Sequence, residues 1–244
     1  MSTPYIFGHR GGMGHCIENT ISCFKKAVEV GVGIETDVQL TKDNILVCFH
    51  DPYITLDSQW ISIKELTFKQ LKNIKFEDDR TIPTVEELFF VFSEEKYDLR
   101  YSFDIRGIKE GQKLIDLAIN YQELDKIEIT ERKLIVIKAL RNYNKNVTLI
   151  HTLNESIRRI TNDNVNFSEL RDLGVKAINL KCGRVNFENF KIIIDNNLEC
   201  YAWDINEEKR LKKVLNLKYK DHSIAAIYTD YPKLLIKYAN QMSS

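Results

Sequence analysis

The chain repeats one pattern along its length, a short apolar run of strand type followed by an amphipathic segment with helical spacing. Parallel strands require this alternation, because each must be returned to the same end of the sheet by a crossover, usually a helix. Residues 5–9, 33–39, 101–105, 126–130, 147–152, 175–180, 199–204 and 225–229 read as strands. Helical segments follow at 20–30, 84–93, 110–121, 131–142, 155–173, 187–196, 207–217 and 233–240, the fifth broken near 162–166. After the second strand, Lys42-Asp43-Asn44 reads as a turn, since Asn tolerates left-handed backbone, and residues 45–50 return as an antiparallel extension. Thr84 and Glu87, three apart, form a capping box for the helix that follows.

Eight strand–helix pairs in 244 residues predict an α/β fold, a TIM (β/α)₈ barrel with a short hairpin or cap inserted after strand two. The competing doubly wound sheet usually carries a Gly-rich phosphate loop after its first strand, and neither GxGxxG nor GxxxxGK[ST] occurs. No Pro- or Gly-rich linker divides the sequence, so residues 1–244 read as a single domain. Lys+Arg and Asp+Glu total 35 each, which leaves no net field to draw nucleic acid or an anionic bilayer. The longest apolar run, residues 88–92, is far too short to span a membrane, and the first residues lack the pattern of a secretory signal. Five scattered cysteines without a CxxC pair read as reduced thiols of a cytoplasmic protein, without a disulfide framework or zinc site. Oligomeric state is left open.

In a barrel of parallel strands, chemistry sits at the carboxyl ends of the strands. Those ends carry His9-Arg10, Glu35 and Asp37, His50-Asp51, Asp104 with Arg106, Lys181, Trp203, and Thr229-Asp230. Glu35 and Asp37 lie two apart on one strand and share a face, where like charges repel unless a cation lies between them. Asp104 offers a third oxygen, and an all-oxygen set selects a hard cation, Mg²⁺ or Ca²⁺. The plainer reading of the three acids is that they are solvated strand ends. Histidine titrates near neutrality, and phosphodiester cleavage needs one group to take a proton and another to give one, so His9 and His50 are the candidate pair. Arg10 and Arg106 match phosphate oxygens bidentately, although salt bridging to nearby acids is the competing use.

The order of these motifs resembles a known family. His9-Arg10-Gly11-Gly12 with Glu18-Asn19-Thr20 is similar to the opening motif of the glycerophosphodiester phosphodiesterases. The likeness continues through Glu35-Thr36-Asp37-Val38, residues 43–51 ending in His50-Asp51, residues 82–87, Ala202-Trp203 with Asn206, and Thr229-Asp230-Tyr231-Pro232. The resemblance implies a barrel that hydrolyses glycerophosphodiesters, small-molecule substrates, to glycerol 3-phosphate and an alcohol with a divalent cation. It makes His9 and His50 the acid/base pair, and Glu35, Asp37 and Asp104 the metal ligands. Arg10 and Arg106 then hold phosphate, Trp203 faces the glycerol or alcohol moiety, and Lys181 joins the substrate-binding set. The chain departs from the family pattern at Asp104, where Glu is usual, at Arg106, where Lys is usual, and at Ile17, which replaces a proline.

Two alternatives stand beside this one. A lysophospholipase D or phospholipase-type lyase needs an apolar lip, which Trp60, Ile61, Ile63, Leu66, Phe68 and Leu71 offer. A catalytically silent barrel that binds a phosphate ligand needs an inert side chain at a site position, and every such position carries a competent one.

Overall fold

A computed structural model describes residues 4–56, 58–93 and 99–243, with no side chains described from 239 onward. Its strands are β1 (Tyr5–Gly8), β2 (Gly33–Leu40), β3 (Leu46–Cys48), β4 (Tyr53–Leu56), β5 (Gln59–Ser62), β6 (Tyr101–Ile105) and β7 (Ile127–Glu131). They continue with β8 (Thr148–Thr152), β9 (Val175–Lys181), β10 (Glu199–Trp203), β11 (Lys218–Tyr219), β12 (His222–Ser223) and β13 (Ala226–Thr229). The main sheet runs β1-β13-β10-β9-β8-β7-β6-β2, and β1 also pairs with β2, so the parallel strands close on themselves. This is the expected (β/α)₈ barrel. β3 adds antiparallel to β2 as the expected hairpin after strand two, and β4–β5 form a second, separate hairpin just beyond it.

The helices are α1 (Ile21–Glu29), α2 (Phe68–Lys72), α3 (Val85–Phe92), α4 (Ile108–Asn120), α5 (Leu134–Tyr143), α6 (Phe167–Asp172), α7 (Phe187–Asp195), α8 (Glu208–Leu215) and α9 (Pro232–Ser243). The box at α3 forms as read: Glu87 N donates to Thr84 Oγ1 and Thr84 N to Glu87 Oε2, both at 2.9 Å. Each such cap contributes about 1 kcal/mol by satisfying helix-end N–H groups. Helices bury one stripe against the outer faces of the strands, as α4 does with Leu114, Ile115 and Ala118. A second cluster, Phe7, Ile150, Ala177, Tyr201, Ala226 and Tyr228, fills the barrel interior, so the barrel is a packed core with chemistry only at its ends.

At the amino-terminal end the interior is polar but closed. Glu128 receives the Arg100 guanidinium, Lys176 Nζ at 3.0 Å and the Tyr201 hydroxyl at 3.0 Å. Arg100 also donates to the Tyr201 hydroxyl at 2.9 Å and stacks 4.3 Å from the Tyr5 ring centre.

The structure departs from expectation in three places. Of the helix expected over 155–173, only α6 forms, because tertiary hydrogen bonds claim the preceding backbone. Arg184 donates to the carbonyls of Leu153, Asn154 and Ile157, and Asn189 Oδ1 accepts from Ile160 N. The short β11–β12 pair was not anticipated; its turn places Lys220 and Asp221 at φ 47° and 50°. Finally, Cys16 and Cys23 are joined as a disulfide, whereas Cys48, Cys182 and Cys200 are free and buried. The loop after β1 folds back over the first turn of α1, bringing the two Cα atoms to 5.4 Å, which spacing along the sequence does not disclose. Among the described residues, no helix is long and apolar enough to cross a membrane.

Candidate active site

β1 ends at Gly8, and His9 opens a tight turn in which Arg10, Gly11 and Gly12 take φ of 51°, 85° and 93°. A Cβ on Gly11 would lie 2.9 Å from Cys23 Sγ, and one on Gly12 would lie 2.9 Å from the Pro232 ring. The turn is thus clamped between the starts of α1 and α9, and only glycine fits both the space and the left-handed backbone. Clamping the turn fixes His9, whose Nδ1 lies 2.7 Å from Asp230 Oδ1 and whose Nε2 lies 3.9 Å from Glu35 Oε2. Burial disfavours the charged ring, but the charges of Glu35 and Asp230 prevail and push its pKa up to about 9.

Arg10 turns inward. Its backbone N–H donates to Glu35 Oε2 at 2.7 Å, its Nη1 to Glu18 Oε2 at 2.8 Å, and its Nε lies 3.3 Å from Asp37 Oδ2. Across β2 and β6, Asp37 and Asp104 are Cα partners. Burial, then the neighbouring Asp37 charge, pushes Glu35 up to about 7 against the pull of His9. Asp104 opens onto the mouth yet is walled in by protein. That desolvation, with repulsion from Glu35 and Asp37, holds its carboxyl well above the usual range. Glu35 and Asp104 therefore both feel the Asp37 charge beside them.

His50 occupies the segment after β3, with Nδ1 2.7 Å from Asp51 Oδ1. Gln39 Nε2 donates to the carbonyls of Phe49 and Asp51 at 2.7 and 2.8 Å, and the Arg106 guanidinium donates to the His50 carbonyl. Farther round the mouth, Lys181 and Trp203 are Cα partners on β9 and β10. Lys181 Nζ lies 4.9 Å from the Trp203 ring centre and 3.3 Å from Glu155 Oε2. The named side chains thus fall into three groups: His9 with Arg10 and the acids, His50 with Arg106, and Lys181 with Trp203.

Among the described residues, no group of three or more His, Cys, Asp or Glu side chains is gathered as a metal-ligand set. Arg10 lies against Asp37 instead. The donor chemistry nonetheless fits a hard cation. Asp37 Oδ2 and Arg10 Nε are both buried without a hydrogen bond, and the acids Glu18, Glu35, Asp37, Asp104 and Asp230 outnumber the cations near them.

Several residues without a role in the sequence reading carry this geometry. Asp230 orients His9, Asn206 holds Asp230, Glu18 anchors Arg10, and Gln39 shapes the His50 segment. The signal for Asp230 was available, since a closed barrel places its last strand end beside its first.

The model of the glycerophosphoryl diester phosphodiesterase family matches residues 9–234. A glycerophosphodiester phosphodiesterase of Caldanaerobacter subterraneus is 32% identical, covering 95% of this chain and 96% of that protein. Another from Bacillus altitudinis is 26% identical over 97% of this chain and 98% of its own. Among solved structures, an Oleispira antarctica phosphodiesterase in complex with the product sn-glycerol-3-phosphate superposes with a TM-score of 0.82 at 20% identity, over 97% of each chain. With the fold, the ordered motifs and a match along nearly its whole length in agreement, this chain belongs to the glycerophosphoryl diester phosphodiesterase family.

Proposed function

We propose that the chain hydrolyses glycerophosphodiesters to glycerol 3-phosphate and an alcohol, with His9 and His50 exchanging the protons. The observation that carries this reading is the acid-rich mouth, where His9 Nε2 stands 3.9 Å from Glu35 beside Asp37, whose buried Oδ2 accepts no hydrogen bond and has only the Arg10 guanidinium 3.3 Å away. Glu35, Asp37 and Asp104 would hold a divalent cation, Mg²⁺ or Ca²⁺. When bound, it supplies charge neutralisation to the phosphoryl oxygens.

The chain's own residues do the rest. His9, anchored through Nδ1, presents Nε2 as the proton-transferring atom on one side. His50, anchored through Nδ1 to Asp51, presents its Nε2 on the other. Arg10 is largely engaged by Glu18 and Asp37, so it steadies the acids as much as it meets phosphate. Arg106, exposed beyond its bond to His50, offers its remaining N–H groups to phosphate oxygens. Trp203, with Lys181 over its ring, forms a wall for the glycerol moiety. The product named for the Oleispira antarctica neighbour supports the same substrate class.

The deciding experiment assays purified protein on water-soluble glycerophosphodiesters with and without EDTA. Release of glycerol 3-phosphate that EDTA stops and Mg²⁺ or Ca²⁺ restores is the expected result. No release from any diester, with either ion present, sinks the reading.

One observation favours a second substrate. On the hairpin just beyond Asp51, Trp60 is 78% exposed, Tyr53 is 52% exposed, and their rings lie 6.3 Å apart. The other apolar residues of that segment turn inward, with Ile63, Leu66 and Leu71 forming a small core against Val47 and Phe49. The lip is therefore narrower than the sequence suggested, essentially Trp60 with Tyr53. Turnover of micellar lysophosphatidylcholine well above that of glycerophosphocholine is the outcome that favours an acyl-chain substrate.

A further inference from the structure

Two side chains beyond the proton-transferring pair reach His9 in series. Asp230 follows β13 and meets His9 Nδ1 through Oδ1 at 2.7 Å, while its Oδ2 accepts from Asn206 Nδ2 at 2.6 Å. The Asn206 Oδ1 in turn accepts the backbone N–H of Asp230 at 2.8 Å and the Thr229 hydroxyl at 3.2 Å. A backbone N–H can only donate, so the amide oxygen must face it and the NH₂ must face the carboxylate. Only a side-chain amide supplies both polarities at this spot. An aspartate would set two carboxylates against each other, and an alanine would leave Asp230 free to turn.

The loop that carries Asn206 is itself braced. Asp204 sits at φ 64°, with Arg210 Nη1 donating to its carbonyl at 2.9 Å and pairing with its carboxylate at 2.8 Å. Ile205 N donates to the Tyr228 carbonyl at 3.2 Å, and Gly14 N donates to the Asp230 carbonyl at 3.0 Å. Both backbone links lock the loops after β10 and β1 onto the last strand.

We propose that Asn206 and Asp230 are positioning residues that keep Nδ1–H of His9 on the carboxylate, leaving Nε2 as the one ring nitrogen that faces the mouth and exchanges a proton. This rests on the hydrolase reading above. Orientation of this kind acts on the proton-transfer step more than on substrate binding, so its loss falls on kcat rather than KM. Neither residue touches the reacting atoms; both act through His9.

The test compares wild type with Asp230→Asn, Asp230→Glu, Asn206→Ala and Asn206→Asp for kcat, KM, Tm and the NMR of ¹⁵N-histidine-labelled protein. Asp230→Asn keeps the shape but can turn a donor toward His9, and is expected to lower kcat by about 100-fold or more with KM and Tm little changed. Asn206→Ala is expected to lose on the order of 10-fold, Asn206→Asp more, and Asp230→Glu to recover part of the Asp230→Asn loss. In the wild type, a downfield Nδ1–H proton, assigned by its absence from His9→Ala, is expected. It should move upfield or vanish in Asp230→Asn and Asn206→Asp.

A rise in KM at constant kcat, or activity that only tracks lost Tm, overturns the proposal, as does an Nδ1–H signal indifferent to both substitutions. If the wild type hydrolyses no diester at all, the hydrolase reading fails by itself, and the NMR still decides whether the series holds the ring.

Discussion

The two ends of the barrel interior use the same ingredients in different proportions. At the floor, one oxygen of the Glu128 carboxylate meets Arg100, Lys176 and the Tyr201 hydroxyl, so its charge is matched by cations of the chain even though Oε2 accepts no hydrogen bond. At the mouth, Glu35, Asp37 and Asp104 crowd one face, and the Arg10 guanidinium beside them is shared with Glu18. Burial and mutual repulsion push two of those carboxyls upward, whereas the Glu128 charge pushes the Arg100 guanidinium up, further into its charged form, against burial. A buried carboxylate with its partners supports the fold, and a surplus of carboxylates asks for something from outside it. Which end a polar cluster occupies matters less than whether its carboxylates are matched by cations.

The sharpest way to break this contrast is to remove a mouth histidine. His9→Ala and His50→Ala are each expected to lower turnover by about 10³-fold, within the usual range for general acid–base catalysis, with little change in Tm. A variant that keeps near wild-type turnover removes that histidine from the chemistry. The complementary change is Glu128→Ala, which takes the carboxylate from the largely buried Arg100 while Lys176 keeps Glu199 at 4.0 Å, and is expected to cost roughly 3 kcal/mol of stability. At about 2–4 °C per kcal/mol, thermal melts should fall by on the order of 10 °C, while folded protein keeps its kcat. Lost activity at unchanged Tm would place Glu128 in the catalytic apparatus and dissolve the distinction.

A smaller effect tests the acid surplus directly. Saturating Mg²⁺ or Ca²⁺ is expected to raise the stability of the wild type, by about 2.7 kcal/mol at 100 times the dissociation constant. Asp37→Asn should shrink that increment and Glu128→Gln should leave it intact; equal increments in both would deny the mouth its cation. The smallest effect belongs to the rim. Trp60→Ala is expected to change stability by less than about 0.5 kcal/mol, because the side chain is 78% exposed, and to leave hydrolysis of water-soluble diesters unchanged. A drop with soluble substrates would make the hairpin part of the glycerol site.

Much of this molecule could be read in advance because its information is local. Parallel β/α repetition gives the barrel, and side chains two apart on β2 give the shared acidic face. The parts that escaped depend on partners far away in the chain. The stretch 155–166 has helical spacing, but Arg184 and Asn189 hold its backbone open from across the loop. The floor escaped because Glu128 looks like a solvated strand residue until Arg100, Lys176 and Tyr201 are seen to converge on it. At the site, the chemistry-bearing residues were visible as types at strand ends, and Glu18, Asn206 and Asp230 as members of the ordered motifs, but what these supports hold was not. Gln39 and Asn206 act through backbone carbonyls and a single amide orientation, which no residue pattern encodes.

The bond between His9 and Asp230 spans 221 residues, from the first barrel strand to the segment after the last. A ribosome-bound nascent chain therefore carries its histidine, its acids and most of its strands long before it can aim them. The His9 ring gains this partner only when the closing segment docks beside the first strand.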